Sequence, residues 1–338
     1  MPKSTRLEAE KHQLEAEKHQ FELEEQSLEH AFQVLYGVEA SLDHKQRLRG
    51  LGVLSKGTGL VELLRRIKPA MDSIQFPARV LVPMNAESVT WIDQDGFRMA
   101  VDDADVAVSQ YLIGSGGWEP HMTALFNQIL KPGMAVIDAG ANVGYYTLLA
   151  AHLVGPHGRV TAFEPNSENC RLVLLSRAAN GFENISLLPL ALSDHTGYAS
   201  FCGALGSNGG FRSLHDEQLH NPSCQIVPVM RLDDVYKDRV DFIKMDIEGA
   251  EPLALEGAAR TLEKWRPVVS SEYSPFMMRS IAGSDPRSFF ESFSSRRYNA
   301  FLLDKASYAE IPITDWPDFV ANYGSDHRIE DLLFRPQD

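Results

Sequence analysis

The chain has 338 residues, which is room for about two domains, and its 44% hydrophobic and 23% charged residues are typical of a globular protein. Its apolar stretches fall short of the roughly 20 residues that a membrane-spanning helix needs, and its amino terminus lacks the apolar segment of a secretion signal. Thirty-two Lys and Arg face 46 Asp and Glu, and this net charge of −14 disfavours nucleic acid as a partner. We therefore expect a cytoplasmic protein without a transmembrane segment.

The three cysteines are Cys170, Cys202 and Cys224. Their number is odd and none are spaced as CxxC, so they indicate neither a disulfide framework nor a zinc site. The sequence predicts reduced, mostly buried thiols.

Residues 1–40 contain a repeat, because LEAEKHQ occupies positions 7–13 and recurs at 14–20. Apolar residues consequently recur every seven positions, but the position four residues further on carries charges, so the heptad seam is incomplete. The pattern predicts a long helix with a narrow apolar edge. It serves either in homodimerisation or partner docking, or as a solvated arm lying against its own domain.

Residues 41–118 are predicted to be a helical and β-hairpin region. The segment 44–68 has seven Lys or Arg and one acid, Glu62, and suits either an anionic surface or packing on an acidic domain of the same chain. Asp95-Gly96 between SVTWID and FRMAV indicates a hairpin turn.

From residue 119 to the end, apolar strands alternate with helical patterns, as in a doubly wound α/β sheet. A helical pattern runs from Met122 to Leu130 and stops at Pro132-Gly133. Seven strands are predicted: Ala135–Asp138, Arg159–Glu164, Ile185–Leu190, Phe242–Met245, Val268–Glu272, Ala300–Leu303 and Asp331–Phe334.

The segment VIDAGANVG, residues 136–144, is a buried strand that ends in an acid and enters a glycine turn before a helix. Gly140 and Gly144 allow a sharp turn and a ligand close to the helix amino terminus. The spacing is not the G-x-G-x-x-G of dinucleotide sites. Asp138 would repel a pyrophosphate and hold a sulfonium or amino group, which favours S-adenosylmethionine over NAD. The alternative is a glycine turn without a ligand.

Acids also follow the later strands. Glu164 lies 24 residues after Gly140, near the spacing of an acid that binds ribose hydroxyls. Ser193 and Asp194 follow the third strand, either beside an adenine or in an ordinary polar loop. The fourth strand runs into FIKMDIEGAE, with Asp246 and Glu248 at its end; these acids should meet Glu272 of the next strand and act as a base or bind a hard cation.

The ordered motifs DAGANVGYYT, FEPN, LALSD, LDD, FIKMDIEGAE and SEYSP resemble the FkbM-type methyltransferase family over roughly residues 119–334. The resemblance implies a class I methyltransferase fold, that is, a Rossmann-like seven-stranded sheet with helices on both faces. It also implies S-adenosylmethionine-dependent O-methylation of a sugar, glycan or polyketide-like hydroxyl. The cofactor-binding residues implied are Glu119, Asp138, Gly140, Asn142, Gly144, Glu164, Pro165, Asn166, Ser193, Asp194 and Asp246. Glu248 and Tyr273 are implied on the acceptor side.

An alcohol holds its proton tightly, so a base near the acceptor oxygen is expected. The candidates are Asp246 and Glu272, with His195 on a neighbouring loop as a third; the alternative for His195 is an exposed loop histidine. Mg²⁺ between Asp246 and Glu272 is a further hypothesis, although acids at strand ends more often bind hydroxyls and amines directly. The glycine-rich stretch 201–228 is interpreted as an acceptor lid, or else as a solvent loop or extra hairpin.

Other functions stay open at the level of sequence. They are small-molecule N-methylation, an NAD-linked oxidoreductase that shares the glycine turn and the ribose acid, and a non-catalytic scaffold.

Overall fold

The computed structural model describes residues 89–102, 105, 108–115, 117–203, 209–212, 224–323 and 328–337, all within one compact unit, Ser88–Asp338. The predicted helix of residues 1–40 and the basic segment 44–68 lie outside the described residues. In the described part of the chain, no helix has the length and apolar character that crossing a membrane requires.

Fourteen strands are present in the described residues. In chain order they are β1 (Val89–Gln94), β2 (Phe97–Asp102), β3 (Ala135–Ala139), β4 (Arg159–Phe163), β5 (Ile185–Leu188), β6 (Ala191–Leu192), β7 (Gly197–Gly203), β8 (Gly209–Arg212), β9 (Cys224–Met230), β10 (Phe242–Met245), β11 (Val268–Tyr273), β12 (Tyr298–Leu303), β13 (Glu310–Ile313) and β14 (Glu330–Pro336).

The described α-helices, numbered here from the first one along the chain, are α1 (Val108–Ser115), α2 (Pro120–Ile129), α3 (Tyr145–Val154), α4 (Ser167–Asn180), α5 (Leu232–Val235), α6 (Glu251–Gly257), α7 (Ala259–Trp265), α8 (Pro275–Met277), α9 (Pro286–Ser294) and α10 (Trp316–Tyr323). A π-helical turn, Met278–Ala282, follows α8.

The main sheet has eight strands in the order β13-β12-β14-β11-β10-β3-β4-β5. Strands β5, β4, β3, β10 and β11 are mutually parallel, and β14 pairs antiparallel with both β11 and β12. All seven predicted strands lie in this sheet, so the expected class of fold is confirmed. The eighth strand, β13, is an addition at the edge of the sheet, where it pairs antiparallel with β12.

Helices cover both faces of the main sheet. Neighbouring residues of its strands point to opposite faces, so they pack into two different cores. Val136 packs into the core formed with α2 and α3, whereas Ile137 packs into the core formed with α6, α7 and α9. This double burial explains why the central strands are continuous apolar runs and why every residue of β3 is buried.

A second sheet of four strands, in the order β6-β9-β7-β8, occupies the stretch interpreted as a lid. Cys202 and Cys224 lie opposite each other in the β7–β9 ladder and form a disulfide, and Cys170 is a free, buried thiol. The prediction of three reduced thiols was therefore wrong. Cysteine count and local spacing carry no information about strand register, and it is the register that brings these two side chains together.

The predicted hairpin is confirmed as β1 and β2 around Asp95-Gly96. It packs on α4 of the sheet domain, where the Ser176 hydroxyl accepts a hydrogen bond of 2.8 Å from the Ala100 amide. The Phe97 ring also meets the Tyr145 ring edge-on, with the centroids 5.9 Å apart. The hairpin and the sheet thus share one hydrophobic core.

Candidate active site

A cavity of about 330 Å³ opens at the carboxyl ends of β3, β4, β10 and β11. This is the edge at which parallel α/β sheets bind ligands. Eight of the site residues expected from sequence line it: Glu119, Gly140, Asn142, Glu164, Pro165, Asp246, Glu248 and Glu272.

The glycine turn after β3 is held against two neighbouring strands. The amides of Gly140 and Ala141 both donate to the Phe163 carbonyl of β4 at 3.0 Å. Gly140 has a φ of +80°, and a Cβ atom there would lie 1.9 Å from the Asp246 carbonyl oxygen of the adjoining strand end. Only glycine fits this close approach. Gly144 has a different role, because its missing Cβ makes room for Val173 of α4.

Glu164 is buried at the end of β4 and is anchored by backbone amides. One of its oxygens accepts from the Asn142 amide and the other from the Asn166 amide, both at 2.8 Å. Burial outweighs these hydrogen bonds and raises the pKa of Glu164 to about 7. Asn166 itself caps α4 by accepting from the Glu168 amide. The cavity thus contains a fixed acid at the position expected for a ribose site.

Lys244 of β10 is a buried cation to which the sequence alone assigned no role. Its Nζ lies 3.4 Å from a carboxylate oxygen of Asp138, 3.4 Å from one of Asp246, and donates to the Gly140 carbonyl at 3.1 Å. Burial acts to lower the pKa of Lys244, but Asp246, Asp138 and Glu119 overcome it and raise the pKa. Lys244 therefore stays charged and links the glycine turn to the acids of the cavity.

Asp138 lies behind this lysine and does not line the cavity. It is completely buried, and its second oxygen accepts from the Thr147 hydroxyl at 2.6 Å. Burial raises its pKa, while Lys244 and Thr147 act to lower it. The acid expected to contact the cofactor is thus placed by the structure as a buried partner of Lys244.

Glu119 enters the cavity from the start of α2 and accepts a 2.7 Å hydrogen bond from the Tyr146 hydroxyl. Burial raises the pKa of Glu119, and the charges of Asp246 and Asp331 add to this effect. The Tyr146 ring in turn lies 5.3 Å from the Lys244 ammonium group. Tyr146 was not predicted; the signal for it was its position in the first turn of the helix after the glycine loop.

Glu272, at the end of β11, has the most unusual environment in the cavity. Its Oε2 atom is buried and has no hydrogen-bond partner among the described residues. Burial raises the pKa of Glu272 well above its ordinary value, and the charges of Asp246, Glu248, Glu251 and Asp331 raise it further.

The loop that carries Glu248 is held by Glu251, whose Oε1 accepts from the amides of Ile247 at 2.9 Å and Gly249 at 3.3 Å. Glu248 has a φ of 56°, an uncommon conformation for a residue with a side chain. Burial raises the pKa of Glu251 to about 7. Glu251 thus stabilises the conformation of this loop through two hydrogen bonds to its backbone.

Seven expected residues lie outside the cavity lining: Asp138, Gly144 and Asn166, which are described above, and Ser193, Asp194, His195 and Tyr273. Ser193, Asp194 and His195 form a cluster of their own, in which His195 Nδ1 lies 2.7 Å from Asp194 Oδ1, and the His195 side chain is 60% exposed. Tyr273 is fully buried in an aromatic core and contacts the rings of Phe289 and Phe290. A direct contact between the acceptor and Tyr273 does not fit this placement.

The hypothesis of Mg²⁺ between Asp246 and Glu272 finds no support. Within the described ranges, no group of three or more His, Cys, Asp or Glu side chains has an arrangement that could hold a metal ion. We derive no step through a metal.

A family model described as the methyltransferase FkbM domain matches residues 138–307. A solved FkbM methyltransferase from Methylobacillus flagellatus KT is 16% identical with a TM-score of 0.35; the match covers 63% of this chain and 50% of that one, so this chain spans about half its length. A putative rRNA methylase from Clostridium thermocellum is 11% identical with a TM-score of 0.39; the match covers 65% of this chain and 96% of that one. A putative Streptococcus mutans methyltransferase in complex with SAH is 8% identical with a TM-score of 0.35; the match covers 64% of this chain and 96% of that one. No curated protein matches the sequence.

Proposed function

The chain belongs to the FkbM methyltransferase family, and we propose that it transfers a methyl group from S-adenosylmethionine to a hydroxyl of a sugar, glycan or polyketide-like acceptor. The observation that carries this proposal is Glu272, whose buried Oε2 atom lacks a donor among the described residues at the acid-lined end of the cavity. A hydroxyl group of an acceptor would supply that donor.

The residues of the cavity fit the cofactor. The glycine turn at Gly140 lines the cavity, and Glu164 lies at the end of β4 with its orientation fixed by two amides. Glu164, Pro165 and Asn142 would hold the ribose side, and the turn at Gly140 would hold the methionine side. When bound, S-adenosylmethionine supplies an electrophilic methyl group on a sulfonium.

The chain's own contribution to the reaction is alignment and proton removal. Lys244 holds Asp246 at 3.4 Å and anchors it to the glycine turn, so the two sides of the cavity keep a fixed relation. Glu272, in its ionised form, would accept the hydroxyl proton at Oε2 as the acceptor oxygen bonds to the methyl carbon and the methyl–sulfur bond breaks, leaving S-adenosylhomocysteine. A carboxylate with a raised pKa is a stronger base than an ordinary one, which suits an unactivated alcohol.

Small-molecule N-methylation uses the same alignment and is the alternative that product analysis would identify. The proposal does not include nucleic acid as the acceptor, because the net charge of −14 and the acids that line the cavity repel a phosphate backbone.

The first test is calorimetric titration with S-adenosylmethionine, S-adenosylhomocysteine and NAD. We expect both sulfur compounds to bind and NAD not to bind. Glu164→Ala should weaken the two sulfur compounds at least tenfold, while Glu168→Ala, an exposed carboxylate of α4, should leave them unchanged. Binding of NAD, or of none of the three, would overturn the proposal. Methyl transfer from labelled cofactor to panels of sugars and macrolactones then identifies the acceptor.

A further inference from the structure

The described lining of the cavity has more acidic than basic side chains. Among the described residues, it contains five carboxyl groups and one lysine, Lys244. S-adenosylmethionine adds one net positive charge, since its sulfonium and ammonium groups outweigh its carboxylate. Even with the cofactor bound, the five carboxyl groups of this lining therefore meet only two units of positive charge.

The existing donors are already assigned to other acids. The Lys244 ammonium group lies within 3.4 Å of both Asp138 and Asp246. Glu164 accepts from two amides, and Glu119 accepts from Tyr146. Glu272 Oε2 is the cavity carboxylate atom that is buried without a donor in the described part of the chain.

The elements packed around Glu272 supply mainly acids. Asp331 is its direct partner in the β11–β14 ladder, and Asp246, Glu248 and Glu251 approach from β10 and the following loop. The nearby basic side chains contact Asp331, because His121 Nε2 lies 2.8 Å and Lys305 Nζ 3.2 Å from its Oδ2 atom. Among the described residues, the basic side chains around Glu272 are thus engaged with other acids, and a ligand can bring the positive group that pairs with Glu272.

We propose that the acceptor carries a protonated amine beside the hydroxyl that is methylated, and that this ammonium group binds at Glu272 and Glu248. This inference rests on the proposed methyl transfer and specifies its substrate class: amine-bearing alcohols such as amino sugars or aminated natural products. A neutral alcohol adds no positive charge to this acidic lining, and a phosphorylated or carboxylated acceptor brings further negative charge to it. An ammonium group supplies positive charge and donates hydrogen bonds to Glu272 and Glu248 beside the hydroxyl.

The first test uses sinefungin, an analogue that has an amine-bearing carbon where S-adenosylmethionine has its methylsulfonium. It presents an ammonium group at the junction of cofactor and acceptor, whereas S-adenosylhomocysteine presents none. Calorimetry near pH 7, in two buffers of different ionisation enthalpy, gives both the affinity and the number of protons released. We expect sinefungin to bind at least tenfold more tightly than S-adenosylhomocysteine and to release more protons on binding, because its ammonium group lowers the pKa of Glu272.

The Glu272→Gln variant should reduce this preference for sinefungin to less than threefold, while the surface variant Glu168→Gln should keep it. Equal affinities with no proton release would overturn the inference and leave the proposed function intact. Failure of both compounds to bind would overturn the proposed function as well. If MgCl₂ instead causes the proton release, and EDTA reverses it, a metal ion supplies the charge and the amine is ruled out.

The acceptor found with labelled cofactor gives the second test. Its N-acetylated form, which loses the charge and keeps the hydroxyl, should turn over at least tenfold more slowly. An acceptor without an amine, or one whose N-acetylated form reacts equally well, would contradict the inference.

Discussion

The α-carbon of Gly140 faces the Asp246 carbonyl oxygen so closely that a Cβ atom would lie 1.9 Å from it. We expect Gly140→Ala to reduce affinity for S-adenosylhomocysteine at least tenfold, because the turn must move away from the end of β10. The positive φ of +80° adds strain of about 1–2 kcal/mol. Calorimetric titration and urea unfolding measure the two effects.

Gly133→Ala is the matched control for this prediction. Gly133 has a φ of +84°, but nothing lies within 4 Å of its added Cβ. It should lose only about 1–2 kcal/mol of unfolding free energy and keep its affinity for S-adenosylhomocysteine. Similar affinity losses in both variants would show that close packing at Gly140 is not what matters.

The Asp138–Lys244–Asp246 group is predicted to be strongly coupled. Lys244→Met should cost about 3–5 kcal/mol of unfolding free energy, because it leaves the fully buried Asp138 carboxylate without its cation. The double variant Asp138→Asn/Lys244→Met should recover a large part of that loss. Urea unfolding of both single variants and the double variant forms a double-mutant cycle, and strictly additive losses would contradict the coupling.

The stability of the ligand-free protein should fall as the pH rises from about 5 to 7. Glu164 and Glu251 both have a pKa of about 7 in the folded state, raised by burial from an ordinary value of 4.5. Between these two values the folded state binds more protons than the unfolded state, so raising the pH favours unfolding. The contribution of these two groups to the slope fades above about pH 8, where both are ionised in the folded and unfolded states.

Glu251→Gln keeps an oxygen for the Ile247 and Gly249 amides and removes the titrating group. The decline in unfolding free energy between pH 5 and 7.5 should become smaller by roughly 3 kcal/mol at most. Glu168→Gln on the surface should retain the wild-type slope. A wild-type stability that rises over this range would refute the raised pKa values.

The disulfide between Cys202 and Cys224 can be tested by counting the reactive thiols of the unfolded protein. Unfolded without reductant, the protein should expose one reactive thiol, Cys170, and after reduction it should expose three. Replacing both disulfide cysteines by serine should cost about 2–4 kcal/mol of unfolding free energy, and dithiothreitol should then have no further effect. Three thiols before reduction would contradict the pairing.

The sequence predicted the parts of the fold that depend on local pattern. Central strands such as β3 and β10 are buried on both faces, so their continuous apolar runs are easily recognised. Strand β13 was missed because it lies at the sheet edge, where it is largely exposed and contains Pro312. The glycine loop was predictable because Gly140 and Gly144 both have a positive φ, +80° and +95°, which favours glycine.

The side-chain placements that depend on register were not predictable. Asp138 and Lys244 are partners in the β3–β10 ladder, and this pairing makes Asp138 the neighbour of a lysine. Glu272 and Tyr273 are consecutive in β11, so their side chains leave opposite faces of the sheet. One therefore reaches the cavity and the other enters the aromatic core.

The four-stranded sheet forms one wall of the cavity, through Ala191 and Leu192 of β6 and Phe201 of β7. It is built from the chain between β5 and α5, whereas Gly140, Glu164 and Lys244 come from strands of the main sheet. This wall and the strand ends of the main sheet are thus encoded in separable stretches of the gene. A chimaera that exchanges residues 191–230 would replace the wall while Gly140, Glu164 and Lys244 are inherited unchanged.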